Sequence, residues 1–342
     1  MPESGTATPA LTAEPALAPE AAEPRTAVGA EIAGLGVALP ETVVTNEPIA
    51  ARFGVDERWI VKRTGIESRR YAAPGDLLFE LAAAAGQRAL EDAGVAAPDL
   101  DLIVVATTSN DELMPATASR VGAALGAGTT GAFDVNAACT GFVAGLDVAT
   151  ALIEAGRAEN VLLIGADFMS RLTNPEDRAT VTVFADGAGA VVLRGTSGAG
   201  RIGPVVLGSD GDNADLIFIK RETAQIEMMG HETFRHAVDR LCAATGEALA
   251  AAGVTQEEID LFVYHQANAR ILRAVGERIE LPLERVVDCI AELGNTSAAT
   301  VPLALEEARR EGRLEPGARV LLGAFGAGLN WGATVIEWGT ER

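Results

Sequence analysis

The sequence predicts an α/β protein made of two pseudosymmetric halves, each with a buried mixed or parallel sheet and helices outside it. Three observations carry this. Strands and helices alternate from Glu31 onward, the pattern of sheets covered by helices. Segments 100–107 (LDLIVVAT) and 160–165 (NVLLIG) are near-continuous apolar runs, as expected of strands buried on both faces. The arrangement also occurs twice. Cys139 opens a helix and a strand begins 22 positions later, while Asn295 opens a helix and a strand begins 25 positions later. Each half carries an earlier buried strand, 102–107 and 261–264.

Taken in order, residues 1–29 hold five of the chain's 15 prolines, with Ala, Glu and Thr and no apolar period, and read as a disordered tail. Residues 31–39 alternate weakly, as a strand. Residues 76–93 have helical spacing and stop at Gly94, a C-cap residue. A helix follows at 114–125, a short strand at 131–135, a small-residue helix at 140–155, and a strand at 188–193 closes a first half spanning 30–195. The second half, 196–342, has strands at 201–207 and 261–264 and helices at 232–252, 269–279 and 297–310. Strands at 319–325 and 333–338 complete it. Two such halves packed together bring strand and helix ends to a common centre.

Composition narrows the function. The chain has 342 residues, 48% of them hydrophobic, and a mean hydropathy of +0.20, enough for a large core. Its 48 Asp+Glu against 27 Lys+Arg give a net charge of −21, which repels phosphate backbones and argues against a nucleic-acid partner. With no run of 18 apolar residues, no membrane span is expected. No basic residue precedes Arg25 and there is no apolar leader core, so no secretory signal is expected. Three cysteines without CxxC spacing suggest neither a disulfide framework nor a metal site, and fit a reducing, cytoplasmic interior.

The candidate chemistry is sparse. Of three histidines, His265 ends a buried strand, where α/β folds place functional groups; the alternative is a hydrogen-bonded strand-end histidine. His231 and His236 read as surface residues. Cys242 and Cys289 read as core. Cys139 sits between a short strand and a helix among Ala137, Ala138 and Gly141, where a helix N-terminus lowers a thiol's pKa and makes a nucleophile. The alternative is a cysteine buried on a tightly packed helix. Asn295, placed pseudosymmetrically to Cys139, either caps the following helix or donates to a substrate oxygen. The turn 325–332 offers backbone N–H groups between two strands.

These residues carry a resemblance. Segments 135–142 (VNAACTGF), 264–270 (YHQANAR), 294–299 (GNTSAA) and 324–332 (AFGAGLNWG) resemble the signatures of β-ketoacyl-acyl carrier protein synthase III, as do 59–66 (WIVKRTGI) and 184–190 (FADGAGA). The resemblance covers residues 31–338 and implies the thiolase-like fold, two pseudosymmetric halves in αβαβα layers. It implies a triad of Cys139, His265 and Asn295. Chain-elongating relatives have a second His in the role of Asn295, and thiolases carry a second Cys where this chain has Gly326-Ala327-Gly328.

The resemblance further implies an acyltransferase that loads acyl-CoA onto Cys139 and condenses it with malonyl-acyl carrier protein, starting fatty acid or polyketide synthesis. The backbone N–H groups of Cys139 and Ala327 would form the oxyanion hole. Trp59 and Arg178 would stack on adenine, Arg63 would meet phosphate, and Gly230, Phe234 and Asn268 would line the pantetheine tunnel. Phe325 would line the acyl pocket, with Met114 reaching into that of a partner subunit in a homodimer. Beyond these thioester substrates, no cofactor or metal is expected. An acidic carrier facing an acidic enzyme needs a local basic patch, expected at Arg235, Arg240, Arg270, Arg273 and Arg278, interrupted by Glu277. The alternative is a relative that passes the Cys-bound acyl group to a hydroxyl or amine.

Overall fold

The computed structural model describes residues 29–198 and 200–339. The expected tail therefore lies outside the described residues, except Gly29, which already belongs to a strand and pairs with Thr196. In chain order the first half contains β1 (Gly29–Ala38), β2 (Thr42–Thr45), α1 (Asn46–Phe53), α2 (Glu57–Thr64), β3 (Ser68–Tyr71), α3 (Leu78–Ala93) and β4 (Leu102–Ala106). It continues with α4 (Thr117–Leu125), β5 (Gly131–Val135), α5 (Gly141–Glu154), β6 (Asn160–Phe168), α6 (Arg178–Val181) and β7 (Asp186–Thr196). The second half contains β8 (Val206–Ser209), β9 (Ile217–Ile219), β10 (Ile226–Met228), α7 (Gly230–Ala252), β11 (Leu261–Tyr264) and α8 (Ala269–Arg278). It ends with α9 (Ile290–Leu293), α10 (Thr300–Arg310), β12 (Arg319–Gly326) and β13 (Asn330–Glu337).

Both main sheets are mixed. The first has strand order β1-β7-β6-β4-β5, with β4 parallel to β5 and β6, and β7 antiparallel to β6 and β1. The second has order β11-β12-β13-β8, with only the β11–β12 pair parallel. Helices α5 and α10 fill the space between the sheets. Phe142, Leu146 and Ile153 of α5 and Val301 and Leu305 of α10 share one core with Val104 and Leu163 of the first sheet and Val263 and Leu322 of the second. All nine are fully buried, which stabilises the fold by about 1.5–3 kcal/mol per large apolar side chain. Helix α3 covers the outer face of the first sheet and α7 that of the second, completing five αβαβα layers.

The internal repeat is more regular than the strand spacings suggested. Leu102 and Leu261 begin β4 and β11, Gly141 and Thr300 begin α5 and α10, and Asn160 and Arg319 begin β6 and β12, each pair 159 positions apart. The same offset joins the 3₁₀ turns Ala138–Thr140 and Ser297–Ala299 that precede the central helices. Cys139 is therefore equivalent to Ala298, and Asn295 is equivalent to Asn136, not to Cys139 as the sequence suggested.

Other differences have local causes. The helix expected from residue 114 starts at Thr117, because Pro115 holds Met114 out of helical geometry and Ala116 is extended. Helix α3 starts at Leu78, not 76, where the Asp111 carboxylate accepts the N–H groups of Leu78 (3.0 Å) and Phe79 (3.2 Å). The strand expected at 201–207 forms only at Val206–Ser209, after Gly203 and Pro204. The antiparallel pair β2–β3 with the helices α1 and α2 between its strands, and the β9–β10 hairpin, all outside the two large sheets, had no sequence reading.

Candidate active site

One cavity of about 1040 Å³ lies where the two halves meet. It is lined by Cys139, His265 and Asn295, each delivered by a different element. Cys139 lies in the 3₁₀ turn between β5 and α5, His265 directly follows β11, and Asn295 directly precedes the second 3₁₀ turn.

The cysteine turn is held from both sides. Ala138 adopts φ +48°, and the Asn136 carboxamide oxygen accepts its N–H at 3.2 Å. Gly326 presses on the other side, where a Cβ would fall 2.8 Å from the Cys139 Cβ and 2.9 Å from its nitrogen, so only glycine allows this approach. Burial pushes the Cys139 thiol up to about 12; a hydrogen bond from Ser297 opposes this and the charge of Asp167 adds to it. This corrects the expectation of a lowered thiol pKa. Loss of hydration outweighs the favourable helix start, so the resting group is a thiol.

His265 is 2% exposed, its backbone N–H donates to the Gly323 carbonyl at 2.7 Å, and its Nδ1 is buried without a protein partner. Burial alone pushes its pKa down to about 3, so the imidazole is neutral near pH 7. The adjacent Gln266 fixes the strand end by donating to the Tyr264 and Val287 carbonyls at 2.8 and 3.1 Å.

Asn295 precedes the second 3₁₀ turn without capping it, since the cap position falls at Thr296. Its Oδ1 accepts the Ser297 N–H two residues on at 2.9 Å, which leaves Nδ2 as the remaining donor. Its backbone is bridged to the Val183–Ala185 segment by Asn295 N–H to Val183 O (3.0 Å) and Ala185 N–H to Asn295 O (2.9 Å).

Of the other expected site residues, Trp59, Arg63, Arg178, Gly230, Phe234, Asn268, Phe325 and Ala327 all line this cavity. The guanidinium carbons of Arg63 and Arg178 lie 4.0 and 4.5 Å from the Trp59 ring centre. Asn268 is committed to structure: its amide donates to the Arg63 carbonyl (3.1 Å) and its oxygen caps α8 through the Arg270 N–H (2.9 Å). His231, read as a surface residue, is exposed and also borders the cavity. Met114 does not line the cavity; it is 84% exposed.

The expected basic patch is only partly available. Arg278 is paired with Asp239, and Arg240 with Asp210 at 3.2 Å while stacking on Trp331. Arg235, Arg270 and Arg273 are exposed, and Arg270 also borders a second hollow with Arg58, Lys62 and Arg63. Among the described residues no group of three or more His, Cys, Asp or Glu is placed to hold a metal, and no helix is long and apolar enough to cross a membrane.

Sequence reasoning missed Asp167, Ser297 and Gln266. Asp167 is fully buried at the end of the apolar strand β6, the same polar-at-strand-end signal that singled out His265.

Two pseudosymmetric halves with a cysteine, a histidine and an asparagine around a cavity at their junction define a condensing enzyme of the thiolase fold. The 3-oxoacyl-[acyl-carrier-protein] synthase III model matches residues 133–211 and its C-terminal model residues 249–338. A β-ketoacyl-[acyl-carrier-protein] synthase III of Streptomyces coelicolor is 46% identical over 312 residues, covering 91% of this chain and 94% of that protein. The solved 3-oxoacyl-[acyl-carrier-protein] synthase III of Aquifex aeolicus superposes with a TM-score of 0.87 at 39% identity, covering 91% of this chain and 100% of the other. The priming β-ketosynthase of the R1128 polyketide pathway superposes with a TM-score of 0.88 at 34% identity, covering 92% and 98%. The chain belongs to the β-ketoacyl-[acyl-carrier-protein] synthase III family and is a condensing enzyme.

Proposed function

We propose that this chain joins an acyl-CoA primer to malonyl-acyl carrier protein by decarboxylative Claisen condensation, the first carbon–carbon bond of a fatty acid or polyketide. The observation that carries the reading is the cavity in which a thiol, a neutral imidazole and the free Asn295 amide converge. In the first half-reaction the Cys139 sulfur attacks the thioester carbonyl. The thiol proton passes overall to the departing CoA sulfur, with His265 the nearby group able to carry it. The backbone N–H groups of Cys139 and Ala327 stabilise the oxyanion. In the second, malonyl thioester loses CO2 and its electron pair moves onto the thioester oxygen. His265 and Asn295 donate hydrogen bonds to that enolate oxygen. The carbanion attacks the acyl-Cys139 carbonyl and displaces the Cys139 thiolate, which takes up a proton from solvent to return to the thiol, and a 3-oxoacyl product is left on the carrier.

CoA fits the basic mouth formed by Arg58, Lys62, Arg63 and Arg270. Adenine stacks on Trp59, which requires Arg178 to draw back from its 4.5 Å position and close over the base. Gly230, Phe234 and Asn268 line the pantetheine path, and Phe325 the acyl end. Arg235, Arg270 and Arg273 dock the acidic carrier. The acting form is a cytoplasmic homodimer, supported by the outer strand β5 with Phe133 37% exposed and by Leu113 (87%) and Met114 (84%) in the loop before α4. In that dimer Met114 enters the partner's acyl pocket.

The test is to mix the protein with a panel of acyl-CoA primers and malonyl-carrier and weigh the products. A 3-oxoacyl-carrier with CO2 release is expected. Acyl-Cys139 that passes to a hydroxyl or amine without decarboxylation would replace this reading with simple acyl transfer.

A further inference from the structure

We propose that Ser297, aimed by the buried carboxyl group of Asp167, is a positioning residue that sets the reactivity of Cys139. The inference rests on Cys139 being the nucleophile, and goes on to say what prepares it. Ser297 is 1% exposed, its turn packs against the cysteine turn and it lines the same cavity as Cys139, which brings its hydroxyl within reach of both the thiol and the Asp167 carboxyl group. Asp167 cannot swing away. Its Oδ1 accepts from the Thr107 hydroxyl (3.1 Å), the Ser109 hydroxyl (2.8 Å) and the Thr108 and Ser109 N–H groups (2.8 and 3.1 Å). Its Oδ2 accepts the Ala298 N–H at 3.1 Å, which clamps the serine turn of the second half to β6 of the first.

The backbone adds an independent argument. Ser297 holds φ +52°, a left-handed conformation that glycine adopts without strain and other residues resist. The equivalent turn of the first half holds Ala138 at φ +48°. A serine at such a position keeps a hydroxyl where backbone preference alone favours glycine, and that hydroxyl is the one that meets the thiol.

A hydroxyl has one proton to donate. While Cys139 is a thiol, S–H points to the Ser297 oxygen and the serine proton to Asp167. As the sulfur gains charge during attack, the serine proton turns to it, while Asp167 stays satisfied by its other donors. Asp167 of β6 is the charged group that acts on Cys139, His265 after β11 shares its cavity, and α5, which packs directly against the cysteine turn, begins there with the uncharged Gly141. The serine turn, β12 and β13 bring the uncharged Ser297, Gly326 and Asn330.

Ser297→Ala and Ser297→Gly test this together, because both delete the hydroxyl while only glycine relieves the backbone. The readout is the pH dependence of iodoacetamide alkylation at Cys139, followed by mass of its peptide so that Cys242 and Cys289 do not contribute. Both variants are expected to alkylate on the order of ten-fold more slowly at a given pH, with the profile moved to higher pH. CoA affinity should stay at the wild-type value. Profiles that superpose on wild type overturn the proposal, as does a slow alanine variant beside a normal glycine variant, which would mark backbone strain as the cause. Acylation of wild-type Cys139 by acyl-CoA is weighed separately, so failure of the nucleophile reading is distinguishable from failure of this one.

Discussion

Burial acts on Cys139 and His265 in the same sense, favouring the neutral form of each: the thiol rises to about 12 and the imidazole falls to about 3. The histidine has a consequence for stability. Between pH 6.5 and 3 the unfolded chain protonates it and the folded chain does not, so its contribution is complete above pH 6.5 and is lost as pH falls. Comparing denaturant unfolding of wild type and His265→Asn should show wild type losing about 2 kcal/mol more on going from pH 7.5 to pH 5. Equal losses would contradict the depressed value. At Asn295 the two ends of one amide do different work. Asn295→Asp keeps an oxygen for the Ser297 N–H and replaces the donor with a carboxylate facing a developing enolate. Decarboxylation should fall on the order of 10²–10³-fold while acylation of Cys139 persists, measured by 14CO2 release against intact mass. Cys139 and His265 stood out in the sequence because one sits between a short strand and a helix and the other ends a buried strand. Their protonation did not, since it depends on which distant segments exclude water.

Among the elements, the decisive contact is between β6 and the serine turn. A Cβ on Gly165 would lie 2.2 Å from the Ala298 carbonyl oxygen, closer than any real contact. Gly165→Ala should therefore destabilise the fold by about 1–3 kcal/mol in thermal or denaturant unfolding, and slow Cys139 acylation by pushing the Ser297 turn off the thiol. A variant of wild-type stability and rate would show that the two halves are not so tightly docked. The buried strands and long helices were legible because apolar period reports burial directly. Segment 201–207 was misread because its apolar residues suggested a strand while Gly203 and Pro204 delay one until Val206. The strand pairs β2–β3 and β9–β10 were not legible, being short and half-exposed, with no period long enough to read.

For the whole molecule, the net charge of −21 opposes the acidic carrier of the proposed reaction, and that reading asks the local arginines to reverse it. With Arg240 and Arg278 already paired, the proposed carrier patch rests on the exposed Arg235, Arg270 and Arg273. Arg235→Glu with Arg270→Glu should raise the carrier KM several-fold with little change in kcat, and the wild-type KM should rise with salt. An unchanged KM would remove the patch. The dimer prediction belongs at this scale too. Phe133→Arg with Met114→Asp should shift the protein to monomer in sedimentation, and a dimer of unchanged strength would place the interface elsewhere.

By itself the sequence determined the α/β class and the two-half design, and singled out the cysteine, histidine and asparagine that the fold brings to one cavity. Apolar pattern and the scarcity of Cys and His are local properties that survive without coordinates. Only the tertiary structure decided that Asn295 matches Asn136 and not Cys139, that the thiol is protonated at rest, and that Asp167 and Ser297 stand behind it. Those depend on residues more than a hundred positions apart being pressed together in a place without water, and desolvation and hydrogen bonding at such a junction leave no trace in local sequence pattern.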